Sequence, residues 1–133
     1  MLFKKQKIQK TYHDTDIVSP LDGKIFPIDE VKDTVFAQQL LGQSISIYPK
    51  KRIQTLVAPA NGKLEVLYPT GHAYCIRMKN GLSLLIHIGL DTINLSGKYF
   101  KILSKQGLDV GIGDPIVQVD FNGIKKAGYD VTT

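Results

Sequence analysis

The sequence predicts an all-β fold, an antiparallel β-sandwich or barrel with internal duplication and one or two short helices. Short apolar runs recur along the 133 residues and are separated by turns rich in glycine, proline and asparagine, a pattern typical of antiparallel strands joined by tight turns. Residues 17–25 and 56–64 also echo each other. Each of these segments contains a strand, a proline-led turn that ends in Asp-Gly or Asn-Gly, and a second strand.

A second echo pairs residues 42–47 with residues 113–119. Because the period is not sustained along the chain, we expect one duplicated β unit and not a solenoid. Helical periodicity is confined to two segments, residues 29–41 and residues 97–106, each of which is followed by a glycine. We therefore expect the short helices in these two segments.

A hairpin with a histidine in each strand is the most informative part of the chain. Asn80-Gly81 is a strong signal for a two-residue type I′ turn, because that turn needs positive φ at both central positions. Counting outward from this turn places Tyr74 opposite His87, with His72 diagonally across the strand pair. The two imidazoles are then neighbours on one face of the hairpin.

The same register divides the hairpin's side chains between two faces. The predicted outer face carries the histidines among apolar residues: His72, Tyr74, Ile76, Met78, Leu85 and His87. The predicted core face holds Leu82, Leu84, Ile86 and Ile88, and Cys75 points the same way as a packed, inert thiol. The inference depends on the turn, because a shift of one residue would send the histidines to opposite faces.

Positive charge is concentrated at the amino terminus. The formal net charge is +5, yet four lysines fall within the first ten residues and leave +1 for the rest. We therefore expect residues 1–15 to form a basic, flexible leader, with at most a weak contact to an anionic membrane surface. The body lacks the basic stripe and interleaved aromatic residues of a nucleic-acid surface, so no nucleic-acid partner is expected.

The length of the chain is that of a single domain, and the composition favours a cytoplasmic protein. No apolar run approaches the length of a membrane span, and no cleavable signal pattern opens the sequence. The single cysteine cannot form an internal disulfide, which suits a reducing compartment.

Paired imidazoles are typical of three kinds of chemistry. In phosphoryl relay, a neutral imidazole nitrogen attacks phosphorus while a second ring donates a hydrogen bond to the phosphoryl oxygens. Zinc binding normally needs three or four ligands, and only two convergent histidines are visible here. Acid–base catalysis in a pocket and two ordinary surface histidines also fit the pattern. The residues alone therefore leave the chemistry open.

Several stretches match motifs of one known family: Val18-Ser-Pro-Leu-Asp-Gly23, Asp33-Thr-Val-Phe36, Leu41-Gly-Gln-Ser-Ile-Ser-Ile-Tyr-Pro49, Val57-Ala-Pro-Ala-Asn-Gly62, Pro69-Thr-Gly-His-Ala73 and Leu85-Ile-His-Ile-Gly-Leu-Asp-Thr92. Through them the chain resembles the glucose-family IIA component of the bacterial phosphoenolpyruvate-dependent sugar phosphotransferase system. The resemblance covers residues 16–133, and its two histidine motifs at this spacing are specific only in combination.

The resemblance implies a duplicated antiparallel β-sandwich over residues 16–133 that acts as a phosphocarrier and phosphotransferase component. Such a protein accepts a phosphoryl group from the phosphocarrier HPr and passes it to a cysteine on the IIB domain of a sugar permease. On matching positions, His87 is the phosphoryl acceptor and His72 stabilises the phosphoryl group. Thr70 orients His72.

The resemblance also implies a docking surface around the histidines. Asp33 and Asp91 match acidic positions that meet an arginine of HPr, and the apolar docking candidates are Phe36, Tyr68, Tyr74, Leu85 and Ile88. No cofactor is required. Any zinc at His72 and His87 is expected to be adventitious or completed by a partner. Phosphorylation would also change which partners bind, so regulated metabolic proteins are further expected partners.

Two rival functions use related β folds. A zinc peptidase of the lysostaphin type needs His-x-x-x-Asp and His-x-His ligand motifs, which the sequence lacks. A lipoyl or biotinyl carrier needs a modified lysine in a tight hairpin, and Met78-Lys79-Asn80 imitates that motif poorly. The chain departs from the IIA pattern at its end, where family members continue past residues 131–133. We therefore expect the domain to be short at its carboxyl terminus, with an exposed sheet edge.

Overall fold

A computed structural model of the chain describes residues 11–133. The predicted leader falls largely outside the described residues, and so does its predicted membrane contact. Residues 11–15 are exposed, and Asp14 contacts Lys79 at 3.2 Å and Asn61 at 3.4 Å. In the part of the chain from residue 11 onward, no helix is long and apolar enough to cross a membrane.

Nine short strands and two short α-helices make up the regular structure of the described residues. The strands are β1 (Gly23–Phe26), β2 (Ser46–Pro49), β3 (Ile53–Val57), β4 (Gly62–Leu67), β5 (Ala73–Met78), β6 (Ser83–His87), β7 (Phe100–Ile102), β8 (Asp109–Val110) and β9 (Pro115–Asp120). The helices are α1 (Thr34–Ala37) and α2 (Phe121–Lys126), and 3-10 turns span Ile28–Glu30 and Thr92–Leu95.

The strands form three antiparallel sheets. Their orders are β1-β2, β3-β9-β7 and β6-β5-β4-β8, and every described pairing is antiparallel. One apolar core joins the two larger sheets and α2, and its largest fully buried side chains are Tyr74, Phe121, Leu56, Leu64, Ile76, Ile88, Ile116 and Ile124. The predicted all-β class with antiparallel sheets and short helices is confirmed.

The two halves of the first sequence echo bind each other reciprocally. Val18 N donates to Pro59 O at 2.8 Å, and Val57 N donates to Pro20 O at 3.0 Å. These bonds are equivalent under the echo, since Val18 corresponds to Val57 and Pro20 to Pro59. The repeated segments are therefore related by a local pseudo-two-fold contact. The segments of the second echo contribute to β2 and β9, which also belong to different sheets.

The helix predictions were right for one segment and wrong for the other. Residues 29–41 contain α1, whose first turn is capped by Asp33 Oδ1 accepting from Val35 N at 2.9 Å. Residues 97–106 contain β7 and no helix, because φ is positive at Gly97 and Tyr99 and the following residues pair with β9. The sequence analysis missed α2, which Asp120 caps by accepting from Gly123 N.

The hairpin register differs by one residue from the predicted register. Met78 N donates to Leu82 O, so the turn contains three residues and ends with Gly81 at φ +90°, the geometry of a type I turn with a G1 bulge. Ala73 therefore lies opposite His87 and Tyr74 lies opposite Ile86.

This shift reverses the two faces predicted for β5. Tyr74, Ile76 and Met78 point into the core, and the Tyr74 hydroxyl donates to Val57 O at 2.8 Å. Cys75 lies on the other face and is half-buried, so its predicted core position was wrong. Burial and the nearby Glu65 raise the pKa of its thiol. The predicted core face of β6 is correct for Ile86 and Ile88.

The carboxyl-terminal residues pack against both β2 and the loop after β6. Ile47 and Thr133 exchange two backbone hydrogen bonds of 2.8 and 2.9 Å, so Thr133 occupies the side of β2 away from β1 at this position. Val131 is buried, and Leu90 N donates to Asp130 O at 3.0 Å. These contacts support the loop that follows His87.

Candidate functional site

The structure brings His72 and His87 together, with ring centroids 5.5 Å apart and ring planes nearly perpendicular. His87 ends β6, whereas His72 immediately precedes β5. Strand alternation does not extend to His72, because the chain turns at Gly71, where φ is +78°. The rings therefore converge although the register differs from the predicted one. His72 O accepts from Ile88 N at 2.8 Å, which ties the two strand ends together.

A hydrogen bond fixes the protonated nitrogen of His87. Its Nδ1 lies 2.8 Å from Gly89 O, and a carbonyl oxygen can only accept, so Nδ1 carries the proton. In the neutral ring the lone pair is then on Nε2. Gly89 reaches this position with φ +73°, and a β-carbon there would lie 2.5 Å from Thr92 Cγ2. The backbone conformation of Gly89 therefore determines which nitrogen of His87 is nucleophilic.

His72 is held by a hydroxyl from the preceding turn. Thr70 Oγ1 lies 2.6 Å from His72 Nδ1, and the side chain of His72 is buried. Gly71 N donates to Tyr68 O at 2.8 Å and closes the turn that carries Thr70. The structure thus places Thr70 where the sequence predicted it, beside His72. The remaining ring nitrogen of His72 is its Nε2.

Burial keeps both imidazoles close to their neutral form. Desolvation lowers the pKa of His72, and a positive charge on His87 would lower it further. Desolvation also lowers the pKa of His87, against opposing effects of the Gly89 hydrogen bond and the carboxylates of Asp33 and Asp91. At neutral pH the pair is therefore predominantly uncharged, and a neutral imidazole is the nucleophilic form.

The two acidic docking candidates, Asp33 and Asp91, lie within electrostatic range of His87. Asp33 is the N-cap of α1, and Asp91 is exposed in the left-handed conformation with φ +59°. Asp91 adopts that conformation more readily than most residues because its side chain is short and polar. Both carboxylates raise the pKa of His87, so they contribute negative potential at the edge of the site.

Three of the five apolar docking candidates lie at the surface of the site. The Phe36 ring is 4.9 Å from the His87 ring, and the Tyr68 ring is 5.1 Å from the His72 ring. Leu85 is 47% exposed on the outer face of β6. These side chains can contact a partner that approaches the histidines.

The other two docking candidates were wrong. Tyr74 and Ile88 are fully buried in the core, because the three-residue turn places Tyr74 on the inner face and Ile88 lies opposite His72. The sequence analysis also missed Val35 and Ile93, which are exposed beside Phe36 and Thr92. Val35 lies inside the motif Asp33-Thr-Val-Phe36, and Ile93 directly follows the motif that ends at Thr92, which was the available signal.

The site offers few ligands for a metal ion. Among residues 11–133, no group of three or more histidine, cysteine, aspartate or glutamate side chains is placed to hold one. His87 Nδ1 donates to a carbonyl, and His72 Nδ1 interacts with a hydroxyl. The two Nε2 atoms remain, which is half of the usual tetrahedral zinc coordination.

Known proteins resemble this chain in sequence and in structure. It is 39% identical over 125 residues to the glucose-specific EIIA component of Staphylococcus epidermidis, an alignment that covers 92% of this chain and 74% of that protein. It is 43% identical over 118 residues to the beta-glucoside-specific EIIBCA component of Halalkalibacterium halodurans, covering 89% of this chain but only 18% of that protein.

A solved structure matches the fold as well. Glucose permease IIA from Mycoplasma capricolum superposes with a TM-score of 0.81 at 39% identity, and the match covers 89% of this chain and 76% of that one. The family model described as phosphoenolpyruvate-dependent sugar phosphotransferase system, EIIA 1, matches residues 15–133. The chain therefore belongs to the EIIA 1 family of the sugar phosphotransferase system.

Proposed function

We propose that this chain is a cytoplasmic phosphocarrier that accepts a phosphoryl group from phospho-HPr on His87 and delivers it to the IIB domain of a sugar permease. The hydrogen bond from His87 Nδ1 to Gly89 O carries this proposal, because it leaves Nε2 as the nucleophile beside a second imidazole. Family membership and the fusion of a related domain in the EIIBCA component support the same assignment.

The phosphoryl transfer needs no cofactor, because one N–P bond breaks as the other forms. The Nε2 lone pair of neutral His87 attacks phosphorus, the N–P bond of the donor histidine breaks, and its electron pair returns to the donor ring. In the second step, a cysteine thiolate of IIB attacks the same phosphorus and the Nε2–P bond breaks. Burial favours the neutral ring in both the starting and the final state, since it lowers the pKa of His87.

His72 acts on the phosphoryl oxygens and not on phosphorus. If the Thr70 hydroxyl donates to Nδ1, then Nε2 of His72 carries the proton, in a ring whose centroid lies 5.5 Å from that of His87. A fixed N–H donor next to the transferred group stabilises the negative charge that develops on its oxygens. Thr70 is thus the positioning residue that selects this tautomer.

Docking uses the charged and apolar residues around the histidines. Asp33 and Asp91 attract an arginine of HPr, and such rim charges mainly steer association. Phe36, Tyr68 and Leu85 supply apolar contact area for HPr and for IIB. A phosphoryl group adds about −1.5 to −2 charges to this surface, so phosphorylation also selects among regulated metabolic proteins.

Intact-mass spectrometry after incubation with phosphoenolpyruvate, enzyme I and HPr tests the proposal. The wild-type chain should gain one phosphoryl group, and His87→Ala should gain none. His72→Gln should still accept the group but fail to deliver it to IIB, because it retains Nε2 of His87 and loses the second ring. Labelling of His87→Ala at the wild-type level would contradict the assignment of the acceptor.

Zinc can bind the two histidines but has no part in the proposed phosphoryl transfer. The two free Nε2 atoms can bind Zn²⁺ weakly, and a carboxylate from a partner would complete the coordination. The bound metal would occupy the same nitrogen that accepts the phosphoryl group. We therefore assign no structural or catalytic role to zinc in the chain alone.

A further inference from the structure

The cationic side chains of the described residues are unevenly distributed. Six exposed cations come from the start of β1, the loop between β2 and β3, and the end of α2; we call them the basic face: Lys24, Lys50, Lys51, Arg52, Lys125 and Lys126. Asp22, paired with Lys51 at 3.1 Å, and Asp120, which pairs with Ile53 and caps α2, are the acidic residues among them. The local charge is therefore +4, while seven cations and ten acids elsewhere in residues 11–133 leave a net −3.

Backbone contacts hold the three segments of the basic face together. Lys50 N donates to Asp22 O at 3.0 Å, which joins the β2–β3 loop to the segment before β1. Arg52 O accepts from Phe121 N at 2.7 Å and from Asn122 N at 3.2 Å, which joins the same loop to the first turn of α2. The cations are thus clustered by the fold and not by sequence alone.

Apolar side chains are interspersed among these cations. Tyr48 lies directly opposite Lys24 in the β1–β2 pair, and Lys125 Nζ is 5.6 Å from the centre of its ring. Tyr48 is 40% exposed, and Ile53, the residue after Arg52, is 56% exposed. Lysine, arginine, tyrosine and isoleucine together are suited to the boundary between water and a lipid bilayer, where charge stays wet and apolar groups insert.

We propose that the basic face docks this chain onto the surface of a membrane that contains anionic lipids. Each lysine or arginine near such a surface contributes favourably, and a polarised charge distribution orients the molecule as it approaches. The basic face is formed by β1, β2, β3 and α2, whereas the histidines lie at the ends of β5 and β6. The basic face and the proposed phosphoryl-transfer site therefore lie on different elements, so membrane docking does not use the residues of that site.

The charge cluster itself does not depend on the proposed function, although the biological reason for docking does. A carrier that delivers phosphoryl groups to a permease works next to a lipid surface. Vesicle binding and phosphotransfer are measured separately, so either can fail without the other.

Sedimentation with vesicles tests the proposal on the full chain. The wild type should bind vesicles of mixed phosphatidylglycerol and phosphatidylcholine, should not bind pure phosphatidylcholine, and should be released by salt. The triple variant Lys50→Glu, Arg52→Glu, Lys125→Glu should bind the anionic vesicles at least about a hundredfold more weakly. The matched control Lys63→Glu, Lys79→Glu, Lys105→Glu has the same net charge and should bind more tightly than that variant by roughly tenfold or more.

Both triple variants keep the lysines of residues 1–10, so a leader-only contact would affect them equally. Equal binding by the two variants, or no binding by the wild type, overturns the proposal. Binding to a soluble polyanion such as heparin that depends on the basic face, without binding to vesicles, overturns it too and assigns the face to an acidic macromolecule. Unchanged thermal midpoints and unchanged phosphorylation confirm that the variants are folded.

Discussion

The charge state of His87 results from opposing influences. Its burial disfavours the imidazolium ion, whereas the hydrogen bond to Gly89 O and the carboxylates of Asp33 and Asp91 favour it. Burial is the larger effect, so the pKa is lowered and neutral His87 persists below the usual range of histidine. The carboxylates proposed to attract a partner therefore also limit how far His87 remains neutral on acidification.

Replacing Asp33 by asparagine should lower the pKa of His87 further. The substitution removes a negative charge that stabilises the imidazolium ion, while asparagine can still cap α1. An NMR titration of the His87 ring measures the shift, and the acid limb of the phosphorylation rate should move to lower pH with it. Asp109→Asn, an exposed residue of β8, is the control and should leave the titration unchanged. A rise in the pKa in Asp33→Asn would contradict this account of the site.

At the scale of elements, the segment after β6 determines the orientation of His87. In residues 88–95 it contains Gly89 and Asp91 at positive φ, and it ends in the 3-10 turn Thr92–Leu95. The buried Thr92 hydroxyl donates to Ile88 O at 2.5 Å, and Leu90 N donates to Asp130 O. These bonds fix the peptide planes on either side of Gly89, whose carbonyl holds His87.

Thr92→Val should destabilise this segment, whereas Thr92→Ser should largely preserve it. Valine keeps the shape but leaves Ile88 O without its donor, which costs about 1–3 kcal/mol in the free energy of unfolding. Serine keeps the hydroxyl and loses one methyl group, at about 1 kcal/mol.

Denaturant unfolding measures both costs, and ¹⁵N shifts of the His87 ring report the tautomer. We expect the tautomer to become mixed in Thr92→Val and to remain on Nδ1 in Thr92→Ser. Identical spectra for the two variants would show that the hydroxyl does not position the acceptor.

The sequence predicted the elements of the fold better than the direction in which their side chains point. Asn80-Gly81 correctly located the hairpin, but those two residues are compatible with both a two-residue turn and a three-residue turn with a bulge. Because side chains alternate along a strand, that one-residue difference moved Tyr74 from the surface to the core. β7 was mistaken for a helix since its apolar residues fit a helical period, while pairing with β9 decides its conformation.

The site was predictable where its residues belong to specific motifs. His72, His87 and Thr70 lie together as expected, although the register that was first used to join the histidines was wrong. The role of Gly89 could not be derived from periodicity, because it depends on a carbonyl direction that only the folded loop defines. Ile88 was assigned to the docking surface by its motif position although the hairpin count had placed it on the core face, and the core position is the correct one.

At the scale of the whole molecule, the core and the histidines are separate structures. The core is apolar and joins the two larger sheets. The histidines lie at strand ends, and their two Nε2 atoms are only half of the ligands that a tetrahedral metal site needs. The stability of the fold should therefore not depend on bound metal.

Titration with a chelator should leave the thermal midpoint unchanged, because residues 11–133 contain no group of three or more histidine, cysteine, aspartate or glutamate side chains placed to hold a metal ion. Differential scanning calorimetry with and without EDTA measures this. Added zinc should in contrast slow phosphorylation, since metal and phosphorus compete for Nε2 of His87. A midpoint that falls by several degrees with EDTA would reveal a structural metal site and would contradict the phosphocarrier assignment of the histidines.

The contact between Phe36 and His87 has an optical consequence. The chain contains no tryptophan, and the Phe36 ring lies 4.9 Å from the imidazole of His87, the proposed acceptor. An indole introduced by Phe36→Trp would be the only tryptophan of the chain, next to the side chain whose charge is proposed to change during each transfer. Position 36 therefore offers a place from which the emission of one residue can follow the loading and unloading of the carrier in real time.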